Sequence, residues 1–486
     1  MTEISSSSGR FAPQRPVVII GGGPAGLTAA YELTRRREPV VVCERDSRVG
    51  GLAQTVAYKG FRFDIGGHRF FTKVGAVREI WRAMLGDDLL TRPRLSRIFY
   101  RRHFFDYPLR PLNAIRGLGP VTTVQVVLSY LWVKLRPVEP ETNLEDWVTN
   151  RFGRRLYRIF FEAYTQKVWG IPPRSIDAQW AAQRIRGLSL KTATLHMLRQ
   201  LRSRGRAEAT VRSLVQEFEY PRLGPGMMWE AFRDRVLQAG GRVEMESPVV
   251  ALHHDGRRID TVEVVTGGAR RRLPAAHVIS TMPIVDLVRA LQPAPPPSVL
   301  KAAVRLKYRD FLTVALILDV PQLFPDNWIY VHDAEVKVGR IQNFKNWSPE
   351  MVPDSSKTCL GLEYFCFEGD GLWAMRDEAL VALATRELAA LGIAPPDRVL
   401  DGTVVRMPKA YPVYDEGFAV ALRQVREHLG RFENLQLVGR NGMHKYNNQD
   451  HSMFTAMLTV ENIVDQAGHD IWTVNVEEEY HEEKDS

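Results

Sequence analysis

Apolar positions along the chain follow two periods, and together they predict a mixed α/β fold. The β-branched runs VVII (17–20) and VVVC (40–43) are typical of buried strands. Between them, GGGPAGLTAAYEL predicts a tight turn followed by a helix. Near the end, NLQLVG predicts another strand, and residues 450–464 repeat their apolar positions at helical spacing. The predicted cap of that last helix is Asp450 or Ser452.

The turn after the first strand carries a nucleotide-binding pattern. Gly21, Gly23 and Gly26 have the G-x-G-x-x-G spacing. The first glycine permits a tight turn, the second admits a pyrophosphate, and the third lets the helix pack on the strand. Glu44 follows the second strand, about twenty residues on, where a carboxylate can accept hydrogen bonds from ribose hydroxyls. Strand, glycines, helix, strand and acid in this order predict dinucleotide binding.

The residues after Glu44 favour a flavin over a nicotinamide. ERDSRVGGLAQT resembles the FAD-binding signature of amine oxidases, protoporphyrinogen oxidase, phytoene desaturase and UDP-galactopyranose mutase. This resemblance implies FAD as the cofactor and an α/β fold with a Rossmann-like FAD-binding domain. FRFDIGGHRFF follows, and its glycines would let the backbone approach the flavin, with His68 beside the ring. The predicted cofactor-binding residues are Gly21, Gly23, Gly26, Glu44, Arg45, Gly51, Leu52, Gly66, Gly67, Val249, Gly439, Arg440, Gln449 and Ser452.

The late stretch GRNGMHKYNNQDHSM (439–453) is the second part of the same site, by this resemblance. In the superfamily, a late strand returns to the first sheet and directs a helix N-terminus at the flavin pyrimidine edge. The helix dipole and Arg440 would there stabilise negative charge on a reduced flavin. That role accounts for Arg440 and the helix cap, but it leaves Lys445, Tyr446 and Asn448 for another function.

A second resemblance assigns those residues to a substrate pocket. FFEAYTQKVWGIPP (160–173) resembles a segment of UDP-galactopyranose mutase that lines the uridine and sugar pocket. WAAQRIRGLSL, RLKYRDF, DNWIYV and AYPVYDEGF are similar to further segments of that family. The resemblance implies a diphosphate pocket over the flavin, to which guanidinium groups and phenols would contribute donors. The implied catalytic residues are His68, Arg184, Arg309, Tyr330, Tyr411 and Tyr446, and the implied substrate-binding residues are Phe160, Tyr164, Trp169, Lys445 and Asn448.

The function implied by the resemblance is that of a FAD-dependent nucleotide-sugar pyranose–furanose mutase or a close relative. In that family the N5 atom of the reduced flavin attacks the anomeric carbon and the nucleoside diphosphate leaves. The flavin must first be reduced, and the sequence offers no second glycine motif for a nicotinamide, so the reductant is unidentified. Leu52 stands where the mutases usually have asparagine, so neither galactose nor UDP follows from the resemblance.

Two other functions share the FAD signature. An oxidase or desaturase of the amine oxidase or phytoene desaturase type would act on an amine, a porphyrin or a polyene. A flavin-binding scaffold without activity is the third interpretation. The arginine, lysine and tyrosine residues of the matched substrate segments favour the mutase over both.

The same segments predict the domain organisation. A discontinuous FAD-binding domain is expected at 15–75, 220–290 and 400–465. A helical substrate or cap domain is expected at 76–219, with Asn143 as the cap of one helix. An antiparallel sheet that binds substrate is expected at 291–400, and an acidic tail at 466–486.

Charge and composition narrow the partners and the location. The net charge is +9, and the scattered basic clusters are expected to be solvated faces, with attraction of an anionic substrate or of an anionic membrane surface as the alternative. No motif indicates nucleic acid. Residues 121–133 are predicted to form a buried helix, because they are too few and too polar to span a bilayer, with peripheral membrane contact as the alternative. Three cysteines without framework spacing and a start without a signal-peptide core predict a cytoplasmic location. No metal-ligand spacing appears, so no metal is expected.

Overall fold

The structure is a computed structural model that describes residues 15–176, apart from 108 and 110, and residues 217–475. Its strands are β1 Val17–Ile20, β2 Val40–Cys43, β3 Thr55–Tyr58, β4 Phe61–Asp64, β5 Leu89–Pro93, β6 Ser96–Tyr100, β7 His103–Asp106, β8 Glu217–Pro221, β9 Arg242–Glu244, β10 Val249–His254, β11 Ile259–Thr266, β12 Ala269–Pro274, β13 His277–Ser280, β14 Leu291–Gln292, β15 Tyr308–Leu318, β16 Trp328–Val331, β17 Arg340–Asn343, β18 Thr358–Cys366, β19 Val399–Pro412 and β20 Leu435–Leu437.

The helices of the same residues are α1 Pro24–Arg35, α2 Gly75–Leu85, α3 Pro111–Leu135, α4 Leu144–Phe152, α5 Arg154–Tyr157, α6 Ala163–Trp169, α7 Gly226–Gln238, α8 Ile284–Ala290, α9 Pro297–Arg305, α10 Phe344–Trp347, α11 Asp377–Leu391, α12 Phe418–Leu429, α13 Gly439–Gly442 and α14 Gln449–Val464. A single π turn, Arg158–Glu162, joins α5 to α6. The predicted cap of α4 is confirmed, because the Asn143 side chain accepts a hydrogen bond from the Asp146 backbone N–H at 3.0 Å.

A five-stranded parallel sheet forms the first layer, in the order β20-β13-β1-β2-β9. Its central strands β1 and β2 pair in register from Val17–Val40 to Ile20–Cys43, and every residue of both strands is buried. Helix α1 packs on this sheet beside α14 and α7. The predicted α/β fold with a Rossmann-like FAD-binding domain is confirmed, including the return of the late strand β20.

A seven-stranded, mostly antiparallel sheet forms the second large layer, in the order β19-β15-β18-β17-β16-β6-β7. All residues of β15 and β18 are buried, because α11 packs on one part of the sheet and β4 and α6 on another. Strands β6 and β7 come from the region predicted to be helical, and β19 comes from the last piece assigned to the FAD-binding domain. Strands from all three of the predicted domains therefore share this one sheet.

Helix α3 lies on the surface, so the prediction of a buried helix at 121–133 is wrong. It is long and apolar enough, by length and composition alone, to cross a membrane, yet only 11% of its apolar window is buried. It bends where Gly119 adopts a φ of 76° and Pro120 follows. Only one narrow side, including Val126 and Val133, packs on the core.

Part of the predicted tail also packs on the core. Ile471 and Val474 are buried, and a short 3₁₀ turn spans Ile471–Thr473. Residues 476–486, which carry most of the acidic residues, lie outside the described part. The acidic tail therefore starts later than predicted, because residues 471–475 supply apolar side chains and carbonyl acceptors to the domain.

Candidate active site

A cavity of about 500 Å³ lies where the two large sheets meet. One wall consists of the loops that follow β1, β2 and β13 at their carboxyl ends, the usual ligand position in parallel α/β sheets. The opposite wall includes Phe311 of β15, Arg340 of β17 and Tyr411 of β19. The cavity therefore joins the nucleotide-binding sheet to the antiparallel sheet.

The glycine turn is shaped for close backbone approach. Gly21 has a φ of 102°, and a Cβ atom there would lie 2.1 Å from the Thr281 hydroxyl oxygen. A Cβ atom on Gly26 would lie 1.9 Å from the Gly21 carbonyl oxygen. Gly21 and Gly23 line the cavity, whereas Gly26 packs α1 against β1, as its place in the motif predicts.

Glu44 stands at the end of β2 with its carboxylate held by the backbone. The Gly22 N–H donates to one oxygen at 2.5 Å and the Asp46 N–H donates to the other at 2.8 Å. Burial raises the pKa of Glu44, while these two backbone donors lower it. The carboxylate lines the cavity, so it is available to ribose hydroxyls.

The predicted cofactor-binding residues converge on this cavity from five separate segments of the chain. Those at its wall are Gly21, Gly23, Glu44, Arg45, Gly51, Leu52, Gly66, Gly67, Val249, Gly439, Arg440, Gln449 and Ser452. Glycines without a Cβ atom, a helix N-terminus and a fixed carboxylate fit the pyrophosphate and ribose of a dinucleotide. The residues present therefore fit FAD.

The N-terminus of α14 forms part of the wall. The helix begins at Gln449, and Asn448 caps it with a reciprocal capping box to His451, whose Nδ1 accepts from the Asn448 N–H at 3.3 Å. The prediction that Asp450 or Ser452 caps the helix is wrong, because both residues lie inside the first turn. Asn448, Gln449 and Ser452 line the cavity beside the positive end of the helix dipole.

His68 lines the cavity as a neutral imidazole. Its Nε2 lies 2.9 Å from the Ile65 carbonyl oxygen. Burial, with a smaller contribution from the positive charge of Arg440, lowers the pKa of His68 to about 4. At neutral pH His68 therefore contributes a polar but uncharged group to the site.

Arg440 is surrounded by two phenol rings. Its guanidinium carbon lies 4.8 Å from the Tyr446 ring centre and 5.4 Å from that of Tyr411, and the two rings are stacked at 5.6 Å. Its Nε donates to the Asn447 carbonyl at 2.9 Å and its Nη1 to the Ala410 carbonyl at 3.1 Å. These acceptors are neutral, so they fix the guanidinium without cancelling its charge.

Arg340 is a second cavity arginine, and sequence reasoning missed it. It forms an ion pair with Glu363, the residue directly opposite it on β18, and donates to the Tyr411 hydroxyl at 3.2 Å. Gln342 donates to the other Glu363 oxygen at 2.7 Å. Burial, the largest single influence, lowers the pKa of Arg340, but Glu363 and the neighbouring phenols together outweigh it, so the pKa is raised. Arg340 and Gln342 stand at alternate positions of strand β17 and so share one face of the sheet. This alternation was the signal in the sequence that could have identified them.

The sequence-predicted substrate residues fall into three groups. His68, Tyr411, Tyr446 and Asn448 line the cavity. Tyr164, Tyr330 and Trp169 stand next to it. Tyr330 lies opposite the cavity residue Arg340 in the sheet, and Tyr164 meets the Tyr330 ring at 5.8 Å. Trp169 lies 6.4 Å from the ring of the cavity residue Tyr446. Arg184 lies outside the described residues. The third group, Phe160, Arg309 and Lys445, is placed elsewhere.

Arg309 fixes the end of α6 and does not line the cavity. Its guanidinium donates to the carbonyls of Lys167, Val168 and Phe365 at 3.2, 3.2 and 2.8 Å. It lies 4.2 Å from the Phe367 ring centre, and burial lowers its pKa. The predicted diphosphate contact of Arg309 is corrected, because its side chain does not line the cavity and its Nε and Nη2 bind carbonyls of α6 and β18.

Lys445 and Phe160 are also structural. Lys445 Nζ donates to the Trp472 carbonyl at 2.8 Å and to the Val474 carbonyl, which attaches the C-terminal segment to the domain. Burial lowers its pKa to about 8. Phe160 is buried edge-on against Phe105 at 5.2 Å. Neither side chain lines the cavity, so their substrate roles are corrected.

The fold and the site define a flavoenzyme in which an antiparallel sheet covers a dinucleotide-binding sheet. The family model for flavin-containing amine oxidoreductases matches residues 24–444, and the chain belongs to that family. It is therefore a FAD-dependent enzyme.

Individual relatives give the degree of similarity. The solved structure of a reduced UDP-galactopyranose mutase superimposes with a TM-score of 0.81 at 20% identity, over 96% of this chain and 97% of that one. The inactive all-trans-retinol 13,14-reductase of Danio rerio is 36% identical over 104 residues, 21% of this chain and 15% of that protein. Protoporphyrinogen oxidase 2 of Arabidopsis thaliana is 29% identical over 149 residues, 28% of each chain. These curated relatives are thus matched over less than a third of their length.

Proposed function

We propose that this enzyme is a FAD-dependent nucleotide-sugar pyranose–furanose mutase or a close relative that acts on another nucleotide sugar. The observation that carries the proposal is the group of Arg340, Arg440, Tyr411 and Tyr446 at the cavity wall. The superposition with a UDP-galactopyranose mutase supports the fold alone, so the proposed function depends on this group of hydrogen-bond donors.

The donors suit a diphosphate. Two guanidinium groups and two phenols offer a planar, mixed set of N–H and O–H donors, of the kind that binds phosphate oxygens. Arg440 engages described acceptors through Nε and Nη1, which leaves Nη2 for a ligand. Burial raises the pKa of Tyr411 to about 12, so its hydroxyl stays protonated and able to donate.

FAD held by these residues would, in its reduced form, supply a nucleophile for the anomeric carbon, while the protein controls charge and position. Arg440 and the N-terminus of α14 stabilise negative charge at the cofactor. Neutral His68 adds no positive charge that would compete for the leaving diphosphate. The arginine and tyrosine group holds the diphosphate beside the sugar before and after release.

The direct test uses chemically reduced holoenzyme with a panel of nucleotide sugars, followed by cyanoborohydride and mass spectrometry of the extracted flavin. We expect a flavin mass increased by that of a hexose or deoxyhexose for at least one donor. If every donor leaves the mass unchanged and free nucleoside diphosphates leave the flavin spectrum unchanged, the mutase proposal is overturned.

Two variants test the donor group in a binding measurement. Tyr446→Phe removes one hydroxyl, and we expect the dissociation constant of a nucleoside diphosphate to rise by about fivefold. Lys445→Gln is the matched control, because Lys445 binds main-chain carbonyls outside the cavity, so binding stays unchanged. Equal weakening by both variants would contradict the assignment of the diphosphate to this wall.

An oxidase is the second candidate, and the apolar part of the cavity favours it. Leu52, Met282, Phe311 and Met407 line the same space and could hold an apolar substrate or an amine. Oxygen uptake by the oxidised holoenzyme with amines and porphyrinogens is the corresponding assay. Uptake without any change in flavin mass would favour the oxidase over the mutase.

A further inference from the structure

The face of α3 that points away from the protein is almost wholly apolar. Val121, Val124, Leu128, Leu131 and Leu135 recur at helical spacing on one side, with Val127 and Trp132 at its borders. Val121 is 70% exposed, Leu128 60% and Leu135 80%. No described residue covers this face, which is larger than the scattered exposed apolar side chains of ordinary soluble proteins.

The helix is fixed in this orientation by its other side. Val126 packs in a cluster with Trp147 and Phe152 of α4, and Val133 on the same side of the helix is also buried. A Cβ atom on Gly153 would lie 2.8 Å from the Tyr130 backbone nitrogen, so the two backbones are in close contact. The exposed face is therefore a permanent feature of the surface, and the helix lies along the domain instead of leaving it.

Positive charge and aromatic rings border the apolar face. Residues 111–138 contain no aspartate or glutamate. The Arg136 guanidinium lies 5.0 Å from the Trp132 ring, and Lys134 Nζ lies 5.4 Å from the Tyr130 ring. Arg154 and Arg155 are exposed next to α3, where the Arg155 N–H donates to the Ser129 hydroxyl at 3.0 Å.

We propose that α3 docks this enzyme on the surface of a bilayer that contains anionic lipids. Leucines and valines on one side, Trp and Tyr at the border and cations on a helix that itself carries no acidic residue are the three features of a helix that lies in the membrane interface. Val126 and Val133 are buried against the protein, so the helix as packed does not span the bilayer. The cations match the negative headgroups, and this charge complementarity selects a lipid surface over an uncharged protein partner.

The experiment is flotation of the full-length FAD holoenzyme with phosphatidylcholine vesicles, with and without phosphatidylglycerol. We expect binding to the vesicles that contain phosphatidylglycerol, weakened by salt. Leu128→Glu with Leu131→Glu places two charges in the apolar face, and the bound fraction should fall by at least about tenfold. Val304→Glu with Val420→Glu is the matched control, since both valines are similarly exposed on other helices and binding should persist.

Each other outcome overturns the proposal. The proposal is overturned if the wild-type protein binds no vesicle. Light scattering would then show whether the apolar face is covered by a second copy of the chain. A dimer that the Leu128→Glu and Leu131→Glu variant dissociates would assign the face to a second copy of the chain. Vesicle binding that the α3 variant and the control variant share would place the membrane contact elsewhere.

Discussion

The most buried ion pair at the cavity joins Arg340 to Glu363. The Glu363 side chain is 0% exposed and also accepts from Gln342, so its charge has no access to water. Glu363→Gln leaves the Arg340 charge without its partner, and we expect the free energy of unfolding of the holoenzyme to fall by about 3 kcal/mol. Urea denaturation followed by circular dichroism measures this loss.

The control is an ion pair of the same kind at the surface. Glu350 pairs with Arg222 at 3.0 Å, with both side chains partly exposed. Glu350→Gln should change the free energy of unfolding much less, because water and salt screen the pair. Equal losses in the two variants would mean that Glu363 does not compensate a buried charge.

Residue roles were predictable where the signal is local. The glycines and Glu44 form a contiguous motif, and the cavity lies at them. Arg309 and Arg340 both stand in strands of one sheet, but only Arg340 reaches the cavity. The difference depends on strand register and on α6, whose carbonyls occupy Arg309. Such long-range packing is invisible to local spacing.

At the scale of an element, α14 connects helix stability to cofactor binding. Asn448 both caps the helix and lines the cavity, so its side chain fixes the N–H groups that face the ligand. Asn448→Ala should lower the free energy of unfolding by about 1 kcal/mol and raise the FAD dissociation constant. Denaturation of the apoprotein and fluorescence titration with FAD measure the two effects.

Asn143 offers a matched cap far from the cavity. Its side chain accepts from the Asp146 N–H, and α4 does not contribute to the cavity wall. Asn143→Ala should cost a similar free energy of unfolding and leave FAD affinity unchanged. If Asn448→Ala also left FAD affinity unchanged, the helix N-terminus would not be part of the cofactor site.

A helix or strand was predictable when its apolar pattern fits a single arrangement of buried and exposed faces. Strand β1 matches the predicted run 17–20, because a four-residue β-branched run has no polar face to place. Residues 121–133 of α3 were predicted to be buried because they form the most apolar stretch of the chain and are too few and too polar to span a bilayer. The neighbours of α3 cover one side only, and the sequence does not state how many neighbours a helix has.

For the whole molecule, buried histidines set the response to acid. Burial lowers the pKa of His332 to about 3 and those of His68 and His444 to about 4, from an ordinary value of about 6.5. The unfolded chain therefore binds more protons than the folded protein below about pH 6.5. The stability of these neutral imidazoles is fully present above that pH and is lost as pH falls towards about 4. Asp64 acts oppositely, since burial raises its pKa to about 7, which favours the fold at lower pH.

A single variant separates the histidine contribution from that of Asp64. His332 stacks on Tyr164 at 4.4 Å, and His332→Phe keeps an aromatic ring in that position while removing the titrating group. Between pH 6.5 and 4.5 we expect the variant to lose less stability than the wild type, by about 1.4 kcal/mol per pH unit at most. His103→Phe at the surface is the control and should keep the wild-type slope. Denaturant titrations at pH 7, 5.5 and 4.5 test this, and parallel slopes for His332→Phe and the wild type would show that His332 is not the buried, neutral group described.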